Sequence, residues 1–364
     1  MDSSWLTGLY CQGLGLTSQL QHHLSEYHHH LVMFSHLGDP RYAFLVLFPY
    51  AYAIDNMLGL QVVWLASLTE WLNAILKWIA RDDRPYWWHD DKCDYSGMNL
   101  RQFSITCESG PGFPSGHVMS TSSLALLLIL YVRGALKDTQ MKRRVTCVGA
   151  VLFMLLITLV SLSRVFIATH FPHQVVVGAV VGMATAVTVY TVASRGPPTY
   201  LLNKKSFLIG GFLLAVALAL FQLLSLFELN PMSSVNLALR HCERREWVHV
   251  DTTLFFAVVR DIGSLCGVAL SAVLLNWSQR GRVWLRNLYD KSPIETVGSM
   301  VLGVALSEVI RLGEQWKLPQ EDINVFYFLA AAKYMVMVCF VIMGEYAAFR
   351  CLKVCGIGKN YKTE

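Results

Sequence analysis

The chain has 364 residues, of which 54% are apolar and only 15% charged, against about 25% charged in an ordinary soluble domain. Together with a positive mean hydropathy, this excludes a disordered chain, a small disulfide scaffold and a typical soluble enzyme, and favours an all-α polytopic membrane bundle. The net charge of +5 comes with no long Lys/Arg block or basic helix, so a nucleic-acid partner has no support.

Residues 1–40 lack a basic n-region and an apolar h-region and do not read as a cleaved signal peptide. The run His28–His30 within them reads as a polar interfacial segment in preference to a metal site. Nine apolar windows of about 20 residues follow, each long enough to cross a lipid bilayer: roughly 41–58, 60–80, 117–136, 146–166, 171–193, 206–228, 253–275, 293–312 and 325–349. No internal repeat stands out, and residues 1–364 read as a single integral membrane domain. Lys and Arg collect in the linkers 133–145, 194–205 and 276–292 and in the tail 350–364, and residues 1–40 hold none. The positive-inside rule then puts the C-terminus in the cytosol and the N-terminus on the opposite side. All 12 His fall on that opposite side.

An ionisable group in a bilayer costs roughly 2.5–3.5 kcal/mol on insertion scales unless it is satisfied, yet three segments near the non-cytosolic ends of spans keep such groups. In residues 77–85, Lys77 is followed seven residues later by Arg84-Pro85. Glu70, Asn73 and Lys77 are spaced by three and four, so they share one helix face, which should point into the bundle. Pro85 stops that helix and sends Arg84 into a loop. In the second segment, Gly110 to Pro114 make an irregular turn, residues 114–117 read Pro-Ser-Gly-His, and an apolar helix begins at once. Its free N–H groups near Ser115 and Gly116 and its positive dipole end form an anion site with His117 at the mouth. In residues 163–174, a tight hairpin brings Arg164 and His170 to one membrane surface. Three cations, two imidazoles and a helix N-terminus therefore converge, and a tetrahedral anion is their natural ligand. No Asp/Glu cage for Mg²⁺ is evident near them, so neither a metal nor a cofactor is expected.

Lys-x6-Arg-Pro, Pro-Ser-Gly-His and Ser-Arg-x5-His resemble the three-part signature of the type-2 phosphatidic-acid phosphatase superfamily, which includes lipid phosphate phosphatases and vanadium haloperoxidases. The family pattern continues x3-Asp, where this chain has Gln174. Gln174, together with Arg84–Trp88, Thr106–Gly112, His170–Gln174 and Glu246–Asp251, looks like the glucose-6-phosphatase catalytic subunits, over about residues 38–260. That resemblance implies a nine-helix phosphatase hydrolysing glucose 6-phosphate to glucose and phosphate at the luminal face of the endoplasmic reticulum, in glucose metabolism and gluconeogenesis. It also suggests functional coupling to a glucose-6-phosphate transporter. It implies His170 as nucleophile through a phosphohistidine, His117 as general acid/base, and Lys77, Arg84, Ser115, Gly116 and Arg164 as phosphate binders. Gln174 would orient His170 through its amide oxygen, with a carbonyl or another carboxylate as the alternative. Asp39 and Glu108 are candidate sugar contacts, as is the Trp87–Trp88 pair. The rival readings are a lipid phosphate phosphatase and a non-catalytic sugar-phosphate-binding protein or transporter. The presence of Lys77, Arg84, His117, Arg164 and His170 argues against a silent member.

Four Cys, at 11, 93, 107 and 242, lie on the luminal side of this topology, where a bridge is permitted. Cys107–Cys242 is the expected pair, because both flank motif-bearing loops. Cys351 and Cys355 beside the last span read as inert thiols, and the Asn276-Trp277-Ser278 sequon, at a cytosolic span end, should be unmodified. Arg260/Asp261, Glu308/Arg311 and Lys333/Glu345 read as structural charges. His173 reads as a hairpin-packing residue.

Overall fold

A computed structural model describes residues 4–88, 93, 100–286 and 293–354. His89, Cys355 and the rest of the basic tail lie outside the described residues. Every regular element among the described residues is helical: α1 (Ser4–His23), α2 (His28–Leu37), α3 (Phe48–Ile54, entered through a wider turn at Ala43–Leu47), α4 (Asn56–Ala80), α5 (Gly116–Ala135), α6 (Thr139–Phe166), α7 (Pro172–Ala193), α8 (Ser206–Leu226), α9 (Ser233–His241), α10 (Leu254–Trp277), α11 (Gln279–Arg286), α12 (Pro293–Glu314) and α13 (Ile323–Val354).

Seven of these, α5, α6, α7, α8, α10, α12 and α13, are long and apolar enough to cross a membrane, and the protein is a multi-pass membrane protein. α6 turns Val148, Val151, Leu152, Met154 and Leu155 outward, which suits lipid contact. The first two expected spans come out differently. Asp55 breaks the first apolar window: its extended backbone ends α3, and its Oδ1 accepts the N–H of Met57 at 2.7 Å and of Leu58 at 3.2 Å, capping α4. What precedes it is a short apolar helix, Ala43–Ile54, below the length of a full crossing. α4 has 25 residues and is about 37 Å long, but its polar stripe dilutes its hydropathy. Glu70, Asn73 and Lys77 on that stripe are all buried, as their spacing predicts.

The chain divides into two compact units. The first comprises Met1–Pro40, Thr69–Ala184 and Ala217–Ala257. Here α6 packs on α1, α2 and α5, around a core of Val118, Ile157, Val160, Val165 and Val175. α7 closes onto the head of α5 at Gly178, where a Cβ would lie 2.7 Å from the Ser115 carbonyl oxygen. Only glycine allows that approach. α1 lays Tyr10 and Leu14 on Phe171 and is tied to Cys93 by a disulfide from Cys11. The expected Cys107–Cys242 bridge is present as well.

The second unit comprises Arg41–Leu68, Thr185–Val216 and Val258–Glu364. Here α12 packs on α3 and α13, with Gly303 against Ala53 and Pro49 and Ser307 Oγ donating to the Leu45 carbonyl at 3.0 Å. Arg260 pairs with Asp261 at 2.9 Å and lies over the Phe44 ring. Glu308 and Arg311 pair within α12. Lys333 pairs with Glu314 at 2.7 Å, a structural pairing between helices, because the end of α12 brings Glu314 to both Lys333 and Tyr334.

Candidate active site

The candidate site lies within the first unit. Its frame is the segment 106–116, which is fastened from every side. Cys107 is bonded to Cys242. Thr106 Oγ1 donates to the Ile167 carbonyl at 2.7 Å, Tyr86 OH donates to the Glu108 carbonyl at 2.7 Å, and Asn73 Nδ2 donates to the Pro114 carbonyl at 3.1 Å. Arg84, fully buried, drives its guanidinium through this frame: Nε donates to the Gly110 carbonyl at 2.6 Å, Nη1 to Thr169 at 3.1 Å and Nη2 to Pro111 at 3.1 Å. The guanidinium suits this task, since its five donors sit in a rigid fork.

Ser115 stands at the N-cap of α5 but its hydroxyl caps nothing. The oxygen is buried without a partner among the described residues, while the Ser115 N–H donates to the Gln174 carbonyl at 3.1 Å. The first-turn N–H groups from Gly116 onward have no intrahelical acceptor. His117 follows with its ring against the same space.

Across from them, α6 ends at Phe166 and the chain turns through Ala168, held at φ 58°. Pro172 starts α7, a position where its fixed φ suits a helix. This hairpin buries Arg164 and His170. Arg164 Nη1 donates to Ser35 Oγ at 2.7 Å. His170 Nδ1 lies 2.8 Å from the Gly112 carbonyl and 3.2 Å from Gln174 Oε1. Both partners are acceptors, so the proton belongs on Nδ1 and the Nε2 lone pair is free. Nε2 is buried and has no hydrogen-bond partner among the described residues. Burial, reinforced by Arg84 and Arg164, holds the His170 imidazole well below its usual pKa, so the ring is neutral.

Into the middle of these groups reaches the Glu108 carboxylate. Oε2 pairs with Arg84 Nη2 at 3.0 Å and Oε1 with Arg164 Nη2. Oε1 lies 3.6 Å from His117 Nδ1 and Oε2 lies 4.0 Å from His170 Nε2. Burial alone would raise the Glu108 carboxyl, but Arg164 and Arg84 overcome it and hold the group well below the usual carboxylate range. Lys77, on the buried stripe of α4, is within electrostatic reach of Glu108, Arg84 and Arg164. Asp39 is within reach of His117 and Arg164.

The PAP2 superfamily pattern matches residues 58–196. Over 331 residues the chain is 36% identical to glucose-6-phosphatase catalytic subunit 1 of Felis catus, covering 88% of this chain and 89% of that protein. The Bos taurus counterpart is 34% identical over 333 residues, with the same shares covered. Glucose-6-phosphatase 3 of Homo sapiens is 31% identical over 332 residues, covering 91% of this chain and 92% of that protein. The chain belongs to the glucose-6-phosphatase catalytic subunit family. No solved structure matches it. The expected superfamily membership, the helical phosphatase fold and the identity as a phosphatase all stand on these relatives.

Within this glucose-6-phosphatase family chain, the fold gathers Lys77, Arg84, Glu108, Ser115, Gly116, His117, Arg164, His170 and Gln174 around one space. A neutral imidazole, three cations and uncapped helix N–H groups can hold a phosphoryl group and attack it. The tryptophan pair is elsewhere employed: Trp87 packs with Tyr86 and Ala238, and Trp88 stacks edge-on against Tyr10 and Phe171 while donating to Asp83 at 3.0 Å. Sequence reasoning missed Tyr10 and Asp82, which back the hairpin through Gln174 and His173. The only signal for them was a pair of acids directly before Arg84.

Proposed function

We propose that the protein hydrolyses glucose 6-phosphate to glucose and phosphate through a phosphohistidine on His170, at the luminal face of the endoplasmic reticulum, with the whole chain acting as one membrane phosphatase domain. The observation that carries this reading is the seat of Glu108. The chain's own carboxylate lies between two arginines, 4.0 Å from an unpartnered imidazole nitrogen, where a phosphoryl group would have to lie for attack. Lys77, Arg84 and Arg164 all act on this carboxylate, and a phosphate monoester in its place would meet the same three groups.

In the first step His170 Nε2 attacks phosphorus, the N–P bond forms and the bond from phosphorus to the sugar oxygen breaks. His117 gives the leaving oxygen its proton. Lys77, Arg84 and Arg164, with the Ser115 hydroxyl and the N–H groups at Gly116, hold the non-bridging oxygens, since charge neutralisation is the main lever in phosphoryl transfer. In the second step a water oxygen attacks phosphorus, His117 takes a proton from that water and the P–N bond breaks. Phosphate leaves and His170 returns to its neutral form. Through both steps the His170 Nδ1–H stays on the Gly112 carbonyl. Glu108, displaced from the arginines by the phosphate, and Asp39 are then available to accept hydrogen bonds from the sugar hydroxyls. Supply of substrate to a luminal site calls for a glucose-6-phosphate transporter.

The test is phosphate release by the purified protein from glucose 6-phosphate against phosphatidic acid, with His170→Ala as control. Release from glucose 6-phosphate that the control lacks, and a phosphoenzyme trapped in alkaline detergent that is lost on acidification, are expected. Preference for phosphatidic acid would establish a lipid phosphatase instead. A glycan on Asn276 in the cell would overturn the orientation.

A further inference from the structure

Behind His170 lies a chain of hydrogen bonds that ends on a carboxylate. Gln174 Oε1 faces His170 Nδ1 at 3.2 Å and accepts the Phe171 N–H at 3.0 Å. Its Nε2 donates to Asp82 Oδ2 at 2.8 Å and to the Asp83 carbonyl at 2.7 Å. Asp82 is fixed in turn: Oδ2 is 3.0 Å from His173 Nε2, Oδ1 accepts from Tyr10 OH, and its backbone carbonyl accepts the Gly112 N–H at 2.8 Å. Although burial pushes the other way, the hydrogen bonds from His173, Tyr10 and Gln174 hold its carboxyl below the ordinary value. Asp82 is therefore an anion at neutral pH.

We propose that Asp82 is a positioning residue for the nucleophile, acting on His170 through the side-chain amide of Gln174. The proposal rests on the reading of His170 as nucleophile. A primary amide has one accepting end and one donating end. Asp82 can only accept, so it draws the NH₂ toward itself and turns the amide oxygen toward His170. That selects the Nδ1–H tautomer and leaves Nε2 as the nucleophile. The negative charge that superfamily members carry directly beside this histidine is here set one amide further back, with Tyr10 and His173 holding it from behind. Gly112 locks the same geometry: a Cβ there would lie 2.5 Å from both the Asp83 carbonyl oxygen and Gln174 Nε2.

Other charged groups also face these residues. Arg84, Arg164, Lys77 and Glu108 act on His170, and Tyr10 and His173 contact Asp82, with Asp83 next in the chain. Arg84, Arg164, Lys77 and Glu108 keep their partners when Asp82 or Gln174 is substituted, whereas Tyr10 and His173 lose one in Asp82→Asn, so Tyr10→Phe and His173→Gln are profiled alongside to separate their contribution from the link. Asp82→Asn removes the charge and should lower kcat about tenfold with KM within about twofold, the loss expected for a group orienting another. Losing an anion makes His170 less basic, so the acid limb of kcat should move to lower pH. Gln174→Glu sets two carboxylates face to face and should be at least as slow. Asp82→Asn combined with Gln174→Glu restores one donor facing one anion, now beside His170, and should return to within about threefold of the parent.

A double variant no faster than the product of the two single losses would overturn the proposal, as would an Asp82→Asn protein with parental kcat and acid limb. If Asp82→Asn does not fold, Gln174→Met reads the same link from its other end, and parental kcat there is equally fatal. His170→Ala is run in parallel. Activity surviving in that protein removes the nucleophile reading itself, whereas an inactive His170→Ala beside an unaffected Asp82→Asn removes only the role of Asp82.

Discussion

In the second unit, Arg260 lies against Asp261, and Lys333 lies against Glu314 with Tyr334 OH on the other oxygen. Around Glu108 the proportions differ. One carboxylate serves Arg84 and Arg164 directly, with Lys77 within reach and two imidazoles within 4.0 Å. Both regions obey the rule that a buried charge needs a partner. A matched pair is complete as it stands and contributes architecture. A carboxylate shared by two arginines, with two imidazoles and the helix N-terminus at Gly116 around it, instead marks a place built to hold an anion. Equal burial of charge therefore separates into structure and function by what surrounds each carboxylate.

The strongest way to break the comparison is to remove the group proposed to attack phosphorus, which balances no charge. His170→Ala takes away a neutral ring, so the cations keep their counter-ion and the fold should be retained. Turnover of glucose 6-phosphate should fall by at least about 10³-fold, the scale seen when a nucleophile is deleted. Gln174→Ala, which disturbs only the orientation of the ring, should lose less. Equal losses would mean that Gln174 does more than orient.

Glu108→Gln sharpens the comparison by emptying the anion position. Two buried arginines then face a neutral amide, and breaking such pairs costs about 3–5 kcal/mol. The thermal transition in detergent should drop accordingly, and inorganic phosphate should restore more of it than in the parent, because a ligand that binds only the folded state stabilises it by mass action. Phosphate should also compete about tenfold better against substrate, since it no longer has to displace a resident carboxylate. A variant as stable as the parent and indifferent to phosphate would show that Glu108 does not occupy the anion position.

Much of the site was legible because its chemistry rides on short fixed spacings. Lys77 to Arg84, Ser115 to His117 and Arg164 to His170 are each set by one helix end and one turn, and the structure brings all of them to one space. What stayed hidden depends on backbone choices that residue types do not announce. α4 ends at Ala80 through Arg81, at φ 50°, a left-handed position usually marked by glycine. That turn aims Asp82 at Gln174, and nothing in Ala80-Arg81-Asp82 signals it. The first apolar window failed for a related reason. Averaging over 18 residues cannot register that Asp55 alone ends one helix and caps the next. Lys333 was legible as a structural charge but its partner was not, because no spacing rule carries information across the α12–α13 connection to Glu314.

The smallest expected effects lie in the second unit and test whether its charges are architecture alone. Lys333→Met leaves Glu314 buried beside Tyr334 without its cation, and the protein should lose about 3 kcal/mol of stability. Combining it with Glu314→Leu removes the stranded charge and should recover most of that loss, because a packed apolar pair is often as stable as a buried ion pair. Through both steps kcat and KM for glucose 6-phosphate should stay within about twofold of the parent once measured on folded protein. The cluster at Glu108 admits no such repair: replacing Arg84 and Glu108 together by apolar residues would leave the Gly110, Thr169 and Pro111 carbonyls without their donor. A change of KM in the Lys333 series would mean that the second unit tunes the site, and the division between matched pairs and a shared carboxylate would then fail as a guide to function.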